Sequence, residues 1–242
     1  MPFGRAKIIL VILFINIAIF AMWLSASFGY LNPAFMEQNF LVSWVAVAEG
    51  RWWTLLTSAF SHILGFHIFL NMYALIGFGP ILELTLGSMR FLRFYLAASI
   101  VASLAHAIVS AKIVGRPELP ALGASGAVAG VILLFSLLYP RQKILIMGII
   151  PVPAFFGSIL IVGLDLWGLW AQAEGGGLPI GHGAHLGGAF TGIAYFLFAV
   201  RPQIKRQRQA ISEIEHSSIP ISFSDQEPHG GRSGEDHDPY GR

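Results

Sequence analysis

Six apolar runs of near membrane-crossing length, 8–28, 60–82, 91–111, 123–139, 154–173 and 182–200, alternate along the chain with shorter polar stretches. A hydrocarbon core of ~30 Å takes about 20 helical residues to cross. Lipid offers nothing to the open backbone groups of an isolated strand. The pattern therefore predicts an all-α polytopic membrane protein, with six transmembrane helices in one domain over 1–202. The first run follows Arg5 and Lys7 but is long for a signal peptide, and no clear small-residue cleavage site precedes "YLNPAF"; it reads as an anchor. The next stretch, "LNPAFMEQNFLVSWVAVAEGRWW", is too polar to span and too aromatic for a solvated loop. It is expected at the membrane interface, with Trp44, Trp52 and Trp53 as anchors. Beyond Pro202 the apolar pattern stops, and 203–242, which ends in "SDQEPHGGRSGEDHDPYGR", reads as a disordered tail.

Composition agrees with a bilayer home, since 55% of residues are hydrophobic and only 12% charged, against roughly 25% charge in soluble domains. Seven of the thirteen acidic residues lie after Val200, so the body is poorer in charge still. With no cysteine, disulfides, thiolate nucleophiles and cysteine metal sites are excluded. If the N-terminus is inside, the inner segments hold Arg5, Lys7, Arg90, Arg93, Arg141, Lys143, Arg201, Lys205, Arg206 and Arg208, and the outer ones Arg51, Lys112 and Arg116. The positive-inside rule then places both termini in the cytoplasm, at the cell membrane in a prokaryote. The runs that begin at Gly123 and His182 both enter from the outer face.

Strongly polar side chains in spans mark function, helix pairing or a water-filled cavity. Here they are His62, His67, Asn71, Glu83, His106, Ser125, Asp165, His182 and His185. His67 and Asn71, four apart, share one helix face, which suits interhelical hydrogen bonding as well as a site. The stretch "GASGAVAG" places Gly126 and Gly130 where small residues let helices pack closely. Packing alone is one reading. The other starts from length: about 17 residues cover only ~25 Å, so the outer end of this helix is recessed. Its unpaired N–H groups and positive dipole end then favour an anion near Ser125, as an oxyanion site requires. His185, a few residues into the sixth helix, enters from the same side, and Gly188 and Gly192 let that helix approach the serine. A serine nucleophile needs such a base. His182 reads as a solvated loop residue rather than a metal ligand, and His106 as a helix-pairing residue. Other hydrolase patterns fail: G-x-S-x-G breaks at Ala127, His-Glu-x-x-His is absent, and Asp165 is the only aspartate in the spans, so two facing aspartates are missing.

Taken in order, "GRWW", "HILGFHIFLN", "GPILELTLG", "GASG" and "AHLGGAFTG" resemble the rhomboid intramembrane serine proteases over residues 50–200. The resemblance implies a six-helix rhomboid-like bundle in the lipid bilayer that cleaves transmembrane segments of other membrane proteins. It implies Ser125 as nucleophile and His185 as general base, a dyad with no acidic partner. His67, Asn71 and the Ser125 N–H would stabilise the oxyanion, with His62, Glu83, Gly123, Gly126 and Gly188 in support. Asp165 would then serve a neighbouring segment and not the base. No metal, cofactor or nucleic acid is implied. Two positions depart from the family pattern: Thr54, where many relatives carry arginine, and Ala129, where some place an aromatic ring against the base. A catalytically silent rhomboid-like protein that binds membrane helices is the alternative; such relatives lack the serine or the histidine, and both stand here. A channel or transporter would usually show paired charges at midplane or repeated halves, and no such repeat is detected.

Overall fold

Each long apolar run closes its backbone hydrogen bonds internally as a helix, as a bilayer demands. The computed structural model describes residues 6–146, 149–178 and 180–217. Its helices are α1 (Lys7–Ser27), α2 (Pro33–Phe40), α3 (Trp44–Ala48), α4 (Thr54–Thr57), α5 (Gly65–Leu86), α6 (Ser88–Lys112), α7 (Ser125–Leu138), α8 (Ala154–Ala173), α9 (His182–Tyr195) and α10 (Arg201–Ser217). Among the described residues five helical stretches are long and apolar enough to cross a membrane: α1, α5, α6, α8 and the stretch His182–Ile214. The protein is a multi-pass membrane protein. The sixth expected span, α7, is apolar but has only 14 residues, or ~21 Å, because Gly123 and Ala124 lie outside it.

Three elements differ from the sequence expectation. The second span begins at Gly65 rather than 60, since Ser58–Phe60 form a 3₁₀ turn and Ser61 is extended. The connection after α7 holds a two-stranded antiparallel hairpin, β1 (Lys143–Ile146) with β2 (Ile150–Pro153). Its prolines are tolerated because both strands are edges. Residues 203–217, expected in a disordered tail, are helical in α10; glutamine, lysine, arginine and glutamate there are good helix formers. The rest of the expected tail lies outside the described residues.

The segment between α1 and α5 braces the approach to the serine. Asn32 caps α2 by accepting from Ala34 N at 2.9 Å, with Pro33 at the first helical position. Ser43 caps α3 through Ala46 N at 3.1 Å. Between them Val42 pairs with Ala121 in a two-bond bridge of 3.0 and 2.8 Å, and Val45 N donates to Pro117 O at 3.2 Å. Trp52 and Trp53 remain largely exposed, as interfacial anchors would be. Thr54, the departure from the family's arginine, is buried and donates from Oγ1 to Arg51 O at 2.7 Å, so a short local bond closes this turn.

Glu83 ties two helices together. Its buried carboxylate accepts Ile8 N and Ile9 N, each at 3.0 Å, and the Ser88 hydroxyl at 2.5 Å. It thus satisfies orphan N–H groups in the first turn of α1 and favours that positive helix end. Gly79 lies one turn away against Ile9, where a Cβ would meet the Ile9 Cδ1 at 2.2 Å. Glu83→Gln should lower the thermal midpoint of the detergent-solubilised protein, since the amide turns a donor toward one of these N–H groups. The expected loss is about 1–3 kcal/mol. An unchanged midpoint would remove this role.

Candidate active site

Glycine lets α7 and α9 meet backbone to backbone. A Cβ on Gly188 would sit 1.7 Å from Gly126 O, one on Gly192 2.7 Å from Gly130 O, and one on Gly130 2.8 Å from Gly188 O. Gly126 also abuts Ala102 on α6, where its Cβ would come within 2.5 Å. This approach carries His185, one turn before Gly188, to the head of α7. His185 Nε2 lies 2.9 Å from Ser125 Oγ.

The other face of the imidazole is also occupied. His185 Nδ1 lies 2.9 Å from Asp165 Oδ1, and the same oxygen lies 2.8 Å from His182 Nδ1. A carboxylate only accepts, so both imidazoles carry hydrogen on Nδ1, an assignment made from the bonding pattern. His185 Nε2 is then bare and accepts the Ser125 hydroxyl. The expectation that Asp165 stands apart from the base is therefore corrected, and so is that of a solvated His182, which is buried. The reason is the turn between α8 and α9. Gln172 Nε2 donates to Leu178 O and Ile180 O, both at 2.7 Å, and folds that loop back along α8. Consequently α9 starts beside Gly168 rather than at the end of α8. A Cβ on Gly168 would meet the His182 ring at 2.3 Å. Hydropathy alone does not give this depth.

The turn into α7 is held from three sides. Gly123 N donates to Ser58 O at 2.8 Å, and Ala124 N donates to His62 Nε2 at 3.3 Å. Gly123 has φ +119°, and a Cβ there would sit 2.6 Å from His67 Cε1. Only glycine fits both the backbone angle and that approach. His62 is fully buried and lies edge-on to His67, with ring centroids 4.9 Å apart. Asn71 is buried and donates one amide hydrogen to His67 O at 3.0 Å, which leaves the second for another acceptor. Ser125 is the first residue of α7, so its N–H has no intrahelical acceptor. His106, expected to pair helices, instead bonds a loop: its Nε2 lies 3.1 Å from Leu119 O.

Between α7, α8 and α9 a small cleft is lined by Ala129, Ile132, Leu133, Ile161, Val162, Asp165 and His185, among others. It is mostly apolar and sits beside the imidazole where Ala129 supplies only a methyl group. Asp165, His182 and His185 also form a donor set that could hold a metal ion, their ligand atoms lying within 4.8 Å of one another. The two hydrogen bonds described above already employ one atom of each. Sequence reasoning named Ser125, His185, His67, Asn71, His62, Glu83, Gly123, Gly126 and Gly188, and missed the two hydrogen bonds that join Asp165 to His185 and to His182. The signal for Asp165 was available: an ionisable residue inside a span is a functional candidate by default.

A rhomboid domain profile matches residues 49–202, more than half of the chain. RHOMBOID-like protein 12, mitochondrial, of Arabidopsis thaliana is 36% identical over 194 residues, covering 75% of this chain and 55% of that protein. Rhomboid protein 1, mitochondrial, of Saccharomyces cerevisiae is 32% identical over 217 residues, 84% of this chain and 56% of that protein. Presenilin-associated rhomboid-like protein A, mitochondrial, of Danio rerio is 30% identical over 203 residues, 80% of this chain and 50% of that protein. The chain spans about half the length of the curated relatives it matches. On the domain match, the relatives and a helical architecture that agrees with both, the chain belongs to the rhomboid family.

Proposed function

We propose that this protein is an intramembrane serine endopeptidase that hydrolyses peptide bonds in or near transmembrane segments of other membrane proteins. The observation that carries this reading is the 2.9 Å approach of His185 Nε2 to Ser125 Oγ at the head of a short membrane helix. The histidine takes the serine proton as Oγ attacks the scissile carbonyl, and returns it from Nε2 to the departing amine. The carbonyl oxygen, now an anion, meets the Ser125 N–H and the positive end of the α7 dipole, with His67 and the spare Asn71 amide hydrogen as further donors. Water then attacks the acyl carbon as His185 accepts its proton, and the imidazolium returns that proton to Ser125 Oγ as the acyl–oxygen bond breaks, which frees the serine and releases the acid. His62 holds the turn through Ala124 N, and Gly123, Gly126 and Gly188 set the approach of the segments.

A silent, helix-binding relative would have no need of a paired nucleophile and base, so the Ser125–His185 contact favours the enzyme. Substrates are expected among single-span membrane proteins whose helices unwind readily. Relatives named mitochondrial or chloroplastic weigh against a cell membrane, whereas the lysine and arginine bias supports both termini on one face. The test is a purified transmembrane reporter reconstituted with the full chain in liposomes. Cleavage at a defined bond, together with labelling by a serine-directed fluorophosphonate, is expected. A preparation that binds the reporter, leaves it whole and takes no label would establish the silent reading instead.

A further inference from the structure

We infer that Asp165 is a positioning residue for the base, and that His182 holds it in place. The inference rests on the peptidase reading above for its kinetic consequence, but its structural content stands apart from turnover. Asp165 projects from α8, a helix that contributes no other group to the Ser125–His185 pair, and it is buried. Its Oδ1 receives two N–H groups, from His185 at 2.9 Å and His182 at 2.8 Å. The first bond fixes the His185 tautomer, because hydrogen on Nδ1 leaves Nε2 free to face the Ser125 hydroxyl. It also stabilises the imidazolium that forms when His185 takes the serine proton.

Two further observations explain why a hydrogen bond is needed here. The cleft beside His185 has Ala129 on its α7 side, so no large side chain from that position wedges the imidazole; direction must come from a bond. And His182 is placed at a cost. It is buried with Nε2 unpartnered among the described residues, and only the absence of a side chain at Gly168 makes room for its ring. A buried polar atom without a partner is unfavourable. Its presence is understandable if Nδ1 serves to hold the carboxylate toward His185. The four groups form one line, Ser125 to His185 to Asp165 to His182, drawn from three helices.

Two measurements on the purified full chain test this. In the first, nitrogen-15 spectra of the histidines at neutral pH should show His185 in the wild type with Nδ1 protonated and Nε2 bare. In Asp165→Asn this preference should be lost. A wild-type His185 found mainly as the other tautomer overturns the inference, whether or not the preparation cleaves anything. In the second, Asp165→Asn should lower kcat for the transmembrane reporter by ~100 to ~10⁴ fold, the upper figure being that of a neutralised triad acid, while KM stays within about threefold. A kcat within about threefold of wild type, or a fall matched by an equal loss of folded protein, also overturns it. If instead the wild type is inert while its His185 shows the expected tautomer, the peptidase reading fails and the positioning role survives.

Discussion

Ser125→Ala is expected to reduce reporter cleavage to background and to abolish fluorophosphonate labelling, and His185→Ala to cost nearly as much. In a soluble serine protease, loss of either partner removes a factor of about 10⁶ from kcat, because neither acts without the other. The same logic applies to the proposed pair, since one 2.9 Å contact joins Ser125 Oγ to His185 Nε2. Stability should scarcely respond: the serine hydroxyl gives up one hydrogen bond, about 0.5–1.5 kcal/mol. The decisive comparison is turnover against thermal unfolding for the same purified samples. Near-normal turnover in Ser125→Ala would place the nucleophile elsewhere, and a variant that is inactive only because it is unfolded would leave Ser125 a packing residue.

Gly188→Val should damage both the fold and the site. The added Cβ would fall 1.7 Å from the carbonyl oxygen of Gly126, and no rotamer moves a Cβ. The helices must separate, at a penalty of at least the 1–3 kcal/mol typical of overpacking. His185 is one turn away and travels with α9. A shift of about 1 Å in a catalytic group can remove about 100-fold in rate, so activity should fall by more than the folded fraction does. Gly163→Val is the control, because a Cβ there meets nothing within 4 Å. Equal thermal midpoints and equal turnover for the two variants would show that α7 and α9 tolerate a wider spacing.

The spans and the main pair were legible because their signals are local. Length and hydropathy mark α1, α5, α6 and α8; the glycines at 126, 130, 188 and 192 announce a close helix pair, and Ser125 and His185 stand at its two heads. Asp165 and His182 stood out as polar residues in the spans, but their meeting with His185 was not legible. Their meeting depends on where α9 starts relative to α8, and Gln172 helps set that by binding the Leu178 and Ile180 carbonyls. Nothing periodic encodes the depth at which a loop releases the next helix. The β1–β2 hairpin escaped for a related reason: a four-residue apolar run does not tell strand from connection. The α10 helix escaped because a polar stretch without apolar periodicity reads the same whether helical or disordered, although its residues are individually good helix formers.

The shortness of α7 bears on how a peptidase reaction here could finish. Acylation needs no water, but release of the acyl group does, and a serine surrounded by lipid tails would stay esterified. At ~21 Å the helix covers only about two thirds of a ~30 Å hydrocarbon layer. Some 9 Å of that thickness must be bridged by the non-helical turn at Gly123 and Ala124, by the opposite end of the helix, or by a local thinning of the bilayer. The turn carries backbone groups that hydrocarbon cannot satisfy, and the Ser58 carbonyl and the His62 imidazole meet two of them. Chain that must be kept from lipid in this way needs polar surroundings above the serine, and a peptidase reaction here would have to draw its water from that side. The deacylation rate would then depend on bilayer thickness as well as on the chemistry of His185.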